Sequence, residues 1–136
     1  MKTAIPDIAR LLRAADSVGF MKTYLPPDDL AKIDDQRLQA TQEAGDRAGF
    51  SINPSLLKAK ESLALAVEDL ESQRPTYNDA GDEASYEILM PGFEGQEPYY
   101  LSMVFVKING KWYSKQGMGD LLNHLSMSLY FTEHSN

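Results

Sequence analysis

At Pro75 the apolar pattern of this chain changes period, and no other feature restricts the fold as much. Upstream, apolar residues recur at helical spacing. Ile5, Ile8, Leu11, Leu12 and Ala15 form one such stripe, and Leu56, Ala59, Leu63, Ala66, Val67 and Leu70 form another. Downstream, Ala84, Tyr86, Ile88 and Met90 alternate with Ser85 and Glu87, which is the spacing of a strand with one face buried. A chain that is helical first and alternating afterwards folds as α+β, with its helices packed on an antiparallel sheet.

The punctuation agrees. Pro6 suits a first helical turn, Pro26-Pro27 stops a short second segment around Phe20, Met21, Tyr24 and Leu25, and Pro27-Asp28-Asp29-Leu30 opens another helix with acids in its first turn. Residues 34–54 are polar, contain Gly45 and Gly49, and read as poorly packed helix and loop. Ser55 is the expected N-cap of the helix ending before Pro75. Thr76-Tyr77 reads as a short edge strand, Asn78 to Asp82 as a turn, and Pro91 to Pro98 as an irregular connection. After Gly117-Met118-Gly119, Asp120 is expected to cap a last helix that carries Leu121, Leu122, Leu125 and Leu129. The expected organisation is one domain over 1–136: a helical part over 5–73, a four-stranded antiparallel meander over 75–116, and a C-terminal helix over 118–131.

The stretch "FVKINGKWYSK", Phe105 to Lys115, fixes a register. Asn109-Gly110 is a two-residue turn signal, because a type I′ turn needs positive φ at both central positions. Ile108 then faces Lys111, Lys107 faces Trp112, Val106 faces Tyr113 and Phe105 faces Ser114. Val104, Val106, Ile108 and Tyr113 share one face, and Met103, Phe105 and Trp112 the other. Both faces are apolar, so a second cover is expected: a helix, a partner subunit or a ligand.

The interrupted helical segment "VGFMKTYLPPDDLAKI", the turn and strand "PTYNDAGDEASYEI" and the hairpin "FVKINGKWYSK" together resemble the small bacterial domains of the NTF2-like (SnoaL-like, cystatin-like) superfamily. The resemblance spans residues 5–115 in order. It implies a curved sheet that wraps a helix into a cone with a cavity, its other face often used for dimerisation. Members include enzymes that use a cavity Asp or His and many that only bind. No enzyme subgroup's motif matches, so no catalytic residue carries over. The segment 117–136 is an addition to the usual pattern.

Composition excludes several chemistries. With 136 residues, a net charge of −7 and no cysteine, the chain is long enough for a core but has no thiolate zinc site, disulfide or cysteine nucleophile. Residues 34–98 hold fourteen acids against five bases. Such a surface repels phosphate backbones and anionic lipids, which argues against nucleic-acid and membrane partners. His124 and His134 are the only histidines, too few for a multi-histidine metal centre, and no cofactor motif occurs. The first residues lack the apolar stretch of a secretory signal, so the chain as given reads as cytoplasmic; a removed leader would make it exported or periplasmic.

The remaining constellations have competing bland readings. Asp120 and His124, four apart on a helix, can form an acid/base dyad or simply be an N-cap and a solvated histidine; Glu87 is the third candidate acid. Gly117-Met118-Gly119 lacks the sequel of a phosphate loop and reads as a flexible strand-to-helix joint. Asn78 to Glu83 fails as a calcium loop, since Thr76 and Ala80 would fall at ligand positions. Asp28, Asp29, Asp34 and Asp35 read as solvated helix ends. Tyr86, Tyr99, Phe105, Trp112 and Tyr113 are the candidate ligand or interface residues. The function these features favour is non-catalytic binding of a small apolar molecule or a protein partner through the sheet or its cavity. An NTF2-like isomerase or hydrolase and an acidic immunity-type inhibitor are the alternatives.

Overall fold

The computed structural model describes residues 3–92 and 96–134, with side chains in the last helix described to Tyr130. Helices come first: α1 (Ala4–Arg13), α2 (Ser17–Tyr24), the one-turn α3 (Pro27–Leu30), α4 (Asp35–Phe50) and α5 (Pro54–Glu68), the last running into a 3-10 turn at Asp69–Ser72. The sheet follows as β1 (Thr76–Tyr77), β2 (Glu83–Met90), β3 (Tyr99–Ile108) and β4 (Lys111–Gln116), and α6 (Met118–His134) ends the chain. The sheet is an open antiparallel meander in the order β1-β2-β3-β4. The change of period at Pro75 therefore marks the real boundary between the helical part and the sheet.

α1 buries six of its ten residues, Ile5, Ile8, Leu11 and Leu12 among them, against α5. Arg13 ties the two helices from outside, with its guanidinium on Glu61 at 2.9 Å and on Glu68. The α1–α2 turn closes through Asp16 N to Leu11 O and Ala15 N to Leu12 O, the paired hydrogen bonds of a Schellman motif. Its left-handed position is usually glycine, but here Ala15 takes it at φ 54, and the methyl is fully buried in the core. Burial of that methyl offsets the strain of a non-glycine residue in this region.

Tyr24 fastens α2 to α1. Its hydroxyl donates to Asp7 Oδ2 at 2.7 Å, and Arg10 donates to Asp7 Oδ1. These two bonds, Tyr24's first, hold the Asp7 carboxyl below its ordinary value, while burial and the same carboxylate push the Tyr24 phenol up. A lowered carboxyl pKa stabilises the fold above the unfolded value, and that contribution is lost as pH falls through the lower folded value. Tyr24→Phe is therefore expected to cost about 1 kcal/mol at pH 6. Urea denaturation at pH 6 and at pH 3 should show the gap between variant and parent narrowing on the acid side; a gap that widens would refute the assignment.

Two caps differ from expectation. Asn53, rather than Ser55, caps α5, accepting from Ser55 N at 2.9 Å with Pro54 in the first turn. Asp120 lies inside the first turn of α6, which starts two residues earlier at Met118. Residues 35–50 form a continuous helix where loop was expected in part, because the Asp34 side chain accepts from Arg37 N at 2.7 Å and good helix formers outweigh two glycines. The expectation of poor packing holds, since Ala48 is the only residue of α4 that is buried.

Asn109 (φ 52) and Gly110 (φ 81) make the β3–β4 turn, and the register is the expected one, Ile108 with Lys111 through Phe105 with Ser114. On the inner face Ala84, Tyr86, Ile88, Met90, Met103 and Phe105 are buried. Trp112 is half-buried at the margin of this face, where Lys107 Nζ stands 5.8 Å from the ring centroid. Trp112→Ala is accordingly expected to cost about 2 kcal/mol, less than the 3–5 typical of a fully buried tryptophan. Thermal unfolding of the variant checks this value.

Candidate functional site: the outer face of the sheet

All five strand aromatics singled out above fall in the sheet, but the pleat divides them. Tyr86 and Phe105 are buried on the inner face in an edge-to-face contact, centroids 6.1 Å apart and planes at 83°. Trp112 lies at the margin of that face, and Tyr99 occupies its end opposite Met90, partly exposed. Tyr113 alone of the five points outward, opposite Val106. A single aromatic site made of all five is not what the register produces.

The outer face carries Glu83, Ser85, Glu87 and Leu89 from β2, Tyr100, Ser102, Val104, Val106 and Ile108 from β3, and Lys111, Tyr113 and Lys115 from β4. None of these side chains is buried. Leu89 and Tyr100, directly opposite one another, are 51% and 71% exposed and form its barest part. Elsewhere the face covers itself with long polar side chains. Lys115 Nζ reaches Glu83 Oε1 at 2.9 Å across β3, Lys111 Nζ sits 5.3 Å from the Tyr113 ring centroid, and Ser102 Oγ donates to Glu87 Oε1 at 2.7 Å. Their alkyl stems shelter apolar surface while the charges stay in water. The result is a face with Val104 and Val106 half-buried in its middle strand, mixed charges around them, and the bare Leu89–Tyr100 pair at the end of the β2–β3 ladder.

Leu89, and its pairing with the strand aromatic Tyr100, are what reasoning from sequence passed over. The signal was present: alternation places Leu89 opposite in sense to Ile88 and Met90, and only the β2–β3 register then sets Tyr100 beside it.

The three acid/base candidates are not brought together. Glu87 lies on the outer face, while His124 is buried on α6, which packs with α5 and β4. Its Nε2 stands 2.8 Å from the Pro91 carbonyl oxygen, so that nitrogen donates and ties α6 to the end of β2. Asp120 is exposed in the first turn of α6. The side chain of His134 lies outside the described residues. Among the described residues no group of three or more His, Cys, Asp or Glu side chains is placed to hold a metal ion. In the acidic segment Asp34 serves as a helix cap and Asp29 lies 3.9 Å from Lys32. Asn78 Oδ1 accepts from Asp82 N and Glu83 N at 3.0 Å, which is turn chemistry. Among the described residues no helix is long and apolar enough to cross a membrane.

No protein-family model, curated protein or solved structure matches this chain.

Proposed function

We propose that this is a non-catalytic binding domain that docks a protein partner on the outer face of its sheet. The observation that carries the reading is the Leu89–Tyr100 pair, two large apolar side chains exposed side by side on the sheet. An exposed apolar pair on an open sheet face suits another protein better than a small molecule, which needs an enclosing site. The inner face leaves little room for a ligand, because Phe105, Ile88 and Met90 are closed off entirely by the protein's own side chains. NTF2-like kinship, with a cone-shaped sheet and a homodimer through the free face, is part of the same proposal. It is supported by the order of helices and meander and by the exposed apolar pair on the outer face. No observation of equal weight favours an acid/base enzyme or an acidic inhibitor.

The test is differential retention. Tagged parent protein and a Leu89→Glu/Tyr100→Glu variant are passed through lysate of the host. A protein held by the parent and lost by a variant of unchanged melting temperature is the expected result. Equal retention by both would remove the outer face from the function.

A further inference from the structure

α4 is a long helix with a thin attachment. Of its sixteen residues only Ala48 is buried, whereas α5, one residue shorter, buries Leu56, Lys60, Leu63, Ala64 and Val67. Leu38 and Ala44 pack against the core only in part, and the rest of the seam is made of small groups. A methyl placed on Gly45 would stand 2.7 Å from the Ala15 carbonyl oxygen, and one on Gly49 would stand 3.0 Å from that of Ala14. Such close backbone approach gives weak contacts but removes little apolar area from water.

Both flanks of this ridge are open. A groove of about 380 Å³ lies between α4 and the α1–α2 turn, reaching Val18, and another of about 240 Å³ lies between α4 and α6, reaching Leu125 and Leu129. The C-terminal end lacks an apolar anchor, since Phe50 and Ile52 are 84% and 88% exposed. Lys60 helps hold that end, its buried ammonium donating to the Ala48 carbonyl oxygen at 2.8 Å. That carbonyl is among the last of α4, where a cation is favoured. Ala48 O is the one acceptor for Lys60 among the described residues, and burial pushes the ammonium's pKa down. A cation so placed regains water when the helix leaves, which offsets part of what opening loses.

We propose that α4 is a flap that detaches as a unit, hinged at residues 31–33 and 51–53, while α1, α2, α5, α6 and the sheet stay folded. Opening uncovers Ala15, Val18, Leu125 and Leu129, a helix-walled apolar strip that the closed form hides. The flap and the outer sheet face are separate features, and neither requires the other. Segments with few buried apolar contacts are the ones that open below the free energy of global unfolding.

Native-state hydrogen exchange of the full chain, read at peptide level across a low urea series, tests this. Amides of α4 are expected to exchange about 100-fold faster, relative to their unfolded rates, than those of α5, through an opening with little urea dependence. Ala40→Leu, which fills the α4–α6 groove, should slow α4 by about tenfold and leave α5 unchanged. Protection of α4 equal to that of α5 would overturn the proposal. So would α4 opening in one step with α1 and α2, or an Ala40→Leu variant that slows every element alike.

Discussion

Gly117→Ala is expected to destabilise the fold by about 3 kcal/mol or more, through two costs that add. Gly117 joins β4 to α6 at φ 101, in the region that L residues occupy only under strain. A methyl there would run into Met103 Sδ and stand 2.8 Å from the Ser102 carbonyl oxygen and 3.2 Å from Met103 Cα. The sulfur can swing away, but the Ser102 carbonyl is fixed in the ladder of β3, so the joint itself must move and carry α6 with it. Gly119, two residues on, is the internal control. Nothing lies within 4 Å of a methyl at that position, and it is in the first turn of a helix, so Gly119→Ala should be neutral or stabilising by up to about 1 kcal/mol. Thermal unfolding of the two variants side by side decides the matter. A Gly117→Ala protein that melts with the parent would show that the joint is loose, as the sequence Gly117-Met118-Gly119 suggests when read alone.

Phe105→Ala is expected to cost about 3–5 kcal/mol. The ring is fully buried and among the largest side chains so enclosed, it meets Tyr86 edge to face, and its strand neighbours Ala84 and Ser114 are too small to fill the space it would leave. A residual cavity in a core that cannot collapse is what makes such truncations severe. The adjacent residue on β3 gives the contrast: Val106 points to the outer face and is only half-buried, so Val106→Ala should cost about 1 kcal/mol. Equal losses at the two positions, measured by urea denaturation, would mean that the outer face is as covered as the inner one and would place a partner on it already.

The β3–β4 hairpin divides in the same way. Asn109-Gly110 and the alternation around it are enough to obtain the β3–β4 register from Ile108–Lys111 to Phe105–Ser114, because turn type and pleat are set within a few bonds of each position; a bulge beyond them sets Val104 opposite Gln116. They are also enough to separate Phe105 from Val106 and Trp112 from Tyr113. They do not say which of the two apolar faces receives the helices. That depends on where α1, α5 and α6 pack, which is decided by surfaces far apart in the chain. The caps expected at Ser55 and Asp120 are smaller failures of the same sort: several residues near each helix end can cap, and the packing of the helix selects where it starts.

Sequence by itself determined the order of elements, the boundary at Pro75, the four-stranded meander with the register next to its Asn109-Gly110 turn, and the acidic middle. These follow from local backbone preference, apolar period and charge count, all of which are complete in a short window. Tertiary structure alone decided that Lys60 is buried against the end of α4, that His124 is spent on the Pro91 carbonyl, and that Leu89 and Tyr100 lie bare together. Each of these is a juxtaposition of residues at least eleven positions apart, and the free energy that sets it comes from how whole elements share one core.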